Sequence, residues 1–433
     1  MQMSVEEKVL IRDASFPKPF NNGLEFNAPA HGTWNIVHIG FRIPKAHQIY
    51  ICAINCLRGV VMTAAEMGEL GRFSSVVLEE DDMTHSGRIE ETTIEGITDA
   101  LNKLPELPPV VIVFPVCTHK FMGCDIDYIY RVLNERFPDV IFVKAFMDPI
   151  MQKRGTSPDQ RLRKAMSDII PQMPVNPDVT AFVGCDIAAS ENNDIRVLLT
   201  ENNRIIRDTA ACKTLEEYLS IGEAEKLICQ YPAGLLATKT ASARIGREYF
   251  FLPLSFDYKM IEEEISSLKL DVPDGFFEDG KKACEEELTI LKELIKDTPV
   301  AIDYTAVPKP LSFARFLLSN GINVRTVYLD AIDGIEEEDF HFLAENYPEL
   351  VIHSTIHVCD RRLERSPEKI LAIGQKAAWF EGTENFVNII EGNGLYGYSG
   401  IKEMLKLMED AFTNSKDLRD IVPRKGLGCK SIV

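Results

Sequence analysis

Four cysteines in two short groups carry the strongest chemical signal in this chain: Cys52 and Cys56 in HQIYICAINCLRGVV, and Cys117 and Cys124 in VVIVFPVCTHKFMGCD. Each group sits where a strand is expected to give way to a loop or helix, so its thiolates can converge on one metal cluster. Thiolates favour iron–sulfur clusters or zinc. Closed zinc sites usually use the tighter Cys-x-x-Cys spacing, which neither group has, so an iron–sulfur cluster is the better match. Were Cys52 and Cys56 to share a helix, their spacing of four would set both sulfurs on one face. The plainer role for either pair is that of free thiols or small buried hydrophobes, which are common in cores. Gly59 stands where a radical-type cluster motif would want a third cysteine, which weakens that alternative.

Other residues offer weaker signals. His119 adds a borderline nitrogen donor between Cys117 and Cys124. Cys185 and Cys229 each follow an expected strand, and the carboxyl ends of parallel strands are where ligands gather. Cys185, in AFVGCDIAASENN, reads first as a core or surface thiol. His353 and His357 in VIHSTIHVCDRR are spaced like helical ligands, but their β-branched neighbours argue for a strand and loop. The stretch EGNGLYGYSG can wrap a ligand with backbone amides, or serve as an ordinary loop before a helix starting near Ile401.

Positioning these side chains falls to a repeated pattern. From about residue 50 onward, short apolar runs alternate with helical periodicity, the signature of an α/β fold with parallel sheets covered by helices. Strands are expected over 110–114, 141–142, 180–183, 227–229 and 249–252, and helices over 125–137, 158–170 and 192–200. Three prolines in IIPQMPVNPD mark a linker, because proline removes a backbone donor and disfavours helix before it. The expected organisation is an N-terminal extension (1–45), a first α/β domain with the cluster cysteines (46–174), a second with a charged helical linker (175–296), and a third ending in a tail (297–433).

The chain has 433 residues and a formal charge of -19, from 47 basic and 66 acidic side chains. That balance argues against nucleic acid, whose binding needs clustered Lys and Arg. The local exception, Lys153-Arg154 with Arg161, Arg163 and Lys164, reads as a solvated helix face or a landing site for an acidic protein surface. No apolar run reaches signal-peptide or membrane-spanning length, and ten scattered cysteines do not make the dense framework of a small secreted domain. The expected setting is a reducing cytoplasm. Cys429, in GLGCKSIV, lies one residue too far from the end for a prenylation box.

Taken in order, the motifs resemble component 1 of the nitrogenase and dark-operative protochlorophyllide reductase group, in its nitrogenase-like members. CAINCLRGVV is similar to the segment that holds the cluster there, a Cys-Ala pair shortly before the basic-Gly-Val step Arg58-Gly59-Val60. VVLEEDDMTHSG resembles the acidic segment ending in a glycine turn. FPVCTHKFMGCDIDYIYR is similar to the strand, cysteine and helix step of the family, with Cys117 on a cluster cysteine and Asp125 on an acidic position. PDVTAFVGCDIAASENNDIRVLLTENN and AEKLICQYP resemble the middle domain, where Cys229 falls near the cysteine that holds the large catalytic cofactor of nitrogenase. The resemblance spans roughly residues 30–412.

The resemblance implies three Rossmann-like domains, with a cluster and a cavity at domain and subunit interfaces. It implies an iron–sulfur cluster of the 4Fe-4S type on Cys52 and Cys117, completed by Cys56, Cys124 or a partner subunit. It further implies a second cofactor of unknown identity in an interdomain cavity faced by Cys229. The partners implied are a paralogous or identical component 1 subunit and a homodimeric ATP-hydrolysing iron–sulfur reductase, with no nucleic acid and no membrane. Low-potential reduction of a small unsaturated or tetrapyrrole-like substrate in an anaerobe follows, and no catalytic residue is singled out. Two departures matter: no cysteine lies between Cys56 and Cys117, and GNGLYGYSG lacks the histidine of the nitrogenase cofactor site. The alternatives are a scaffold for metallocluster or cofactor assembly without turnover, and a small-molecule binding protein with incidental cysteines.

Overall fold

The computed structural model describes residues 7–20, 30, 33, 35–84, 87–147, 156–362, 365 and 367–418. Lys153-Arg154 and Cys429 lie outside the described residues. The strands, in chain order, are β1 (Lys8–Leu10), β2 (Ala46–Cys52), β3 (Phe73–Val77), β4 (Val110–Pro115), β5 (Ile141–Lys144), β6 (Asn176–Phe182) and β7 (Ile205–Asp208). They continue with β8 (Ala224–Cys229), β9 (Glu248–Phe251), β10 (Val300–Asp303), β11 (Val324–Tyr328), β12 (Val351–His353), β13 (Leu371–Ile373) and β14 (Phe386–Val387).

Three sheets result, with orders β3-β2-β4-β5, β7-β6-β8-β9 and β1-β12-β11-β10-β13-β14. The first two are wholly parallel, and the third is parallel except for the antiparallel pairing of β1 with β12. The α/β class with Rossmann-like parallel sheets expected from the alternation is therefore the observed one. Two compact units emerge: 34–188 with 204–251, which holds the first two sheets, and 1–33 with 189–203 and 252–433, which holds the third.

The central strands are apolar runs because both their faces are covered. Every residue of β2 and of β4 is buried, whereas the edge strands β3 and β5 alternate between buried and exposed. Ile49, Ile51, Val111 and Val113 form one core with Ile94 and Ile97 of the helix Arg88–Asn102 and with Ile129 and Leu133 of the helix Ile126–Arg136. The Tyr50 ring stacks on Phe114 with centroids 4.2 Å apart, and its hydroxyl donates to Gln48 Oε1 at 2.9 Å.

The charged helices depart from the domain boundaries drawn on the sequence. Tyr258–Ser267 and Phe276–Ile295 belong to the compact unit of the third sheet. The contact is specific: Cys284 Sγ donates to the Tyr398 carbonyl at 3.2 Å. The N-terminal extension is likewise divided, since β1 closes an edge of the third sheet while the helix Ile36–Gly40 belongs to the other unit.

Candidate functional site

In the first sheet the chain runs from β2 out to β3 and then crosses to β4 on the other side of β2. The reversal opens a crevice at the carboxyl ends of β2 and β4, where α/β sheets bind ligands. Cys52 is the last residue of β2, Cys56 lies in the first turn of the helix Ile54–Glu66, and Cys117 opens the short helix Cys117–Phe121 just after β4. Cys52 and Cys56 do not share a helix, so the one-face geometry does not apply. They approach because the helix starts almost directly after the strand.

Cys52 is fully buried, Cys117 half-buried and Cys56 exposed, and all three are free. Burial pushes the Cys52 thiol up to about 12, and the charges of Cys56 and Cys117 add to the rise. Cys52 is thus near enough to both Cys56 and Cys117 for ionised sulfurs to repel it, and a bound cation would relieve that repulsion. Soft, convergent, unpaired thiols fit an iron–sulfur cluster chemically.

Cys124 stands apart from this trio. Its sulfur packs against the apolar core of the first sheet, and burial together with the Glu90 carboxylate pushes it up to about 11. His119 is a framework residue: its Nδ1 accepts the Val116 N–H at 3.2 Å and its Nε2 faces Thr93 Oγ1 at 3.0 Å. Burial holds it down to about 4, so it is neutral with both nitrogens engaged. Asp125 caps the helix Ile126–Arg136, its Oδ1 accepting the Tyr128 N–H at 2.8 Å. Around the crevice the surface is apolar, with Ile54 65% and Phe121 69% exposed.

The second sheet repeats the topology, with its reversal between β6 and β8. Cys185 follows β6 and the fully buried Cys229 ends β8. The Cys185 thiol faces Cys229 as donor. Gln230 N–H donates to Cys185 Sγ at 3.4 Å and Cys229 Sγ donates to the Tyr231 carbonyl at 3.2 Å. Donation to Cys229, together with burial, raises Cys185. Burial also acts to raise Cys229, but the bond from Cys185 and the Arg163 guanidinium outweigh it and lower that thiol.

Two glycines make this approach possible. Gly184, at a φ of +82°, lies so close to Gly234 that a Cβ on it would sit 2.6 Å from the Gly234 carbonyl oxygen. Above them Arg163 is buried, its Nε donating to both Asp186 oxygens at 3.2 and 3.1 Å while its Nη1 reaches Asp159 at 2.6 Å. Arg163 therefore does not belong to a free basic face, and Lys164 is held by Asp168 at 2.7 Å. The pairing of Cys185 with Cys229 was not foreseen. Its only trace in the sequence is that both cysteines close strands of the same apolar type.

The third sheet reverses between β10 and β13. There the buried Asp303 accepts the N–H groups of Thr305 and Ala377 at 2.9 and 2.8 Å, with no thiol involved. The glycine-rich segment is consumed in the same manner. Asp194 accepts the Tyr398 N–H at 2.6 Å, so the helix Gly397–Thr413 starts four residues earlier than the expected Ile401.

No protein-family model matches the chain, and no curated protein matches it in sequence. Solved structures do match in shape. A structure of nitrogenase Cp1 at pH 6.5 superposes with a TM-score of 0.67 at 12% identity, covering 91% of this chain and 94% of that one. A structure of nitrogenase Cp1 at pH 5 gives 0.60 at 11% identity, covering 94% and 93%. The chain has the fold of those proteins over nearly its whole length.

Proposed function

We propose that this chain is the iron–sulfur redox subunit of a nitrogenase-like complex. Cys52, Cys56 and Cys117 would hold a 4Fe-4S cluster, and Cys124 is the position to test as a further ligand. The observation that carries the reading is the convergence of three free thiols at the β2/β4 crevice, in a chain with the fold of nitrogenase Cp1. Such a cluster transfers single electrons at a potential tuned by burial and by hydrogen bonds to sulfur. Three thiolates leave one iron position for a donor from outside the trio.

The exposed Ile54, two residues before Cys56, and Phe121, at the end of the helix that Cys117 opens, support a subunit contact there, with a second copy or a paralogue. Electrons would come from a homodimeric ATP-hydrolysing iron–sulfur reductase, and the reduced substrate would be a small unsaturated or tetrapyrrole-like molecule. Cys229 would serve a second cofactor, which requires it to give up its bonds to Cys185 and Tyr231. That requirement favours, as a second reading, a scaffold that holds a cluster or precursor transiently during assembly.

The test is anaerobic purification and iron and sulfide analysis of the wild type and of Cys117→Ala. About one cluster in the wild type, and loss of the visible sulfur-to-iron charge-transfer absorption in the variant, are expected. Unchanged iron content in the variant would remove Cys117 from the site. Substrate-dependent ATP turnover with an added reductase separates the redox subunit from the scaffold.

A further inference from the structure

A second group of donors lies at the β1/β12 edge of the third sheet. The antiparallel pairing sets Lys8 opposite His353, and the Glu7 carbonyl accepts the Ser354 N–H at 2.8 Å. This brings Glu7 to the loop that follows β12. One ligand atom each from Glu7, His357 and Cys359 lies within 4.8 Å of the others. Carboxylate, imidazole and thiolate at that separation are the donor set of borderline cations such as zinc, which in open sites takes three protein ligands.

An independent observation points to the same place. Asp360, adjoining Cys359, is 2% exposed, yet neither of its carboxylate oxygens makes a hydrogen bond of ordinary geometry: the backbone of His357 offers only weak support, and His353 Nδ1 stays 4.0 Å from Oδ1. Buried polar groups are ordinarily satisfied, and a carboxylate left without a donor costs free energy unless a cation compensates it. His353 Nδ1 donates to the Ser354 carbonyl at 2.7 Å, which leaves the lone pair on Nε2. That buried nitrogen is also without a partner. Glu7 lies within electrostatic reach of both Asp360 and His353. Asp360 adjoins Cys359 in the chain, and burial raises it to about 7, so a cation held by the three donors would favour its ionised form.

We propose that Glu7, His357 and Cys359 bind a divalent cation of the zinc class, with the buried Asp360 as its neighbouring counter-charge. His357 Nδ1 now accepts the Cys359 N–H at 3.2 Å, and a cation at that nitrogen takes the place of this long hydrogen bond. Three protein ligands leave a fourth position open to water or a small anionic ligand. The site shares no residue with the thiols of the first two sheets.

The experiment titrates the full-length, iron-free chain with zinc against a chromophoric chelator, and with cobalt(II) followed by visible absorption. The variants are Cys359→Ser, Glu7→Gln and the double variant Cys52→Ser/Cys117→Ser. One equivalent of zinc should persist in the double variant, and cobalt should give a thiolate charge-transfer band there. Added to that double variant, Cys359→Ser should abolish the band and weaken zinc binding at least about 10-fold, the lower bound for losing even a supporting partner of a ligand. Zinc should also protect Cys359 from alkylation in the wild type, a readout that needs no variant. Binding that vanishes with Cys52 and Cys117, or that is indifferent to both Cys359→Ser and Glu7→Gln with no protection of Cys359, would overturn the assignment.

Discussion

The first and second sheets have the same strand order and the same crevice, yet they treat their cysteines in opposite ways. At the end of β2 and β4 the thiols grade from the buried Cys52 through the half-buried Cys117 to the exposed Cys56, and among the described residues no glycine pair closes the loops over them. At the end of β6 and β8 the contact of Gly184 with Gly234 draws two loops together, and Cys185 turns its thiol to Cys229, whose own proton goes to the Tyr231 carbonyl. Topology selects where ligand-type residues collect. The first few residues after each strand decide whether they are offered to a ligand or closed on themselves.

The sharpest way to break this comparison is iron binding. Cys52→Ser should remove the cluster from anaerobically reconstituted protein, while Cys185→Ser should leave iron content and visible absorption at the wild-type level. Equal losses from both variants would place the two crevices on the same footing. The next effect is stability in the closed region. Arg163→Met leaves Asp186 buried without its partner and should cost about 3–5 kcal/mol, measured by urea unfolding, whereas Arg163→Met/Asp186→Leu should recover most of it.

Acid should weaken the first sheet through two buried histidines. Burial lowers His47 and His119 from the ordinary 6.5 to about 4 in the folded chain. As pH falls through 6.5 the unfolded chain takes up protons that the folded chain refuses, so stability declines from there down to about 4 and then levels off. At about 1.4 kcal/mol per unit, each histidine contributes up to about 3 kcal/mol. His47→Gln/His119→Gln should flatten that window in pH-dependent unfolding. The smallest effects come from glycine. Gly184→Ala should destabilise by about 1–3 kcal/mol through its left-handed backbone and the carbonyl it would strike, while Gly59→Ala, with nothing within 4 Å of its Cβ, should stabilise the helix by up to about 1 kcal/mol. Thermal melts of the two variants moving in the same direction would contradict the open and closed assignment.

Much of the framework was legible in the residues. VVIVFP is an unbroken apolar run and became a strand buried along its whole length, and the apolar end of AEKLIC, Leu227–Cys229, is the buried part of its strand. Cys52 was harder to place, because AHQIYIC passes into helix across Ala53 alone, with no Gly or Pro to mark the change. Position 119 looked like a ligand because residue type alone does not tell that both imidazole nitrogens are taken by Val116 and Thr93. The link between Cys185 and Cys229 depends on parallel pairing of β6 with β8, a long-range fact no local pattern carries. The early start of the last helix depends on Asp194, whose partner Tyr398 is 204 residues away.

That bond from Asp194 to Tyr398 has a consequence for how the chain is made. The first sheet is contiguous from Ala46 to Lys144, so it can assemble while later segments are still being synthesised. The unit of the third sheet is drawn from three separate stretches, and the helix that Asp194 caps is made long after Asp194 itself. Contacts of such long sequence separation form slowly, so Asp194 waits for its partner while the next 204 residues are made. The thiol-bearing sheets can therefore close before the unit of the third sheet does.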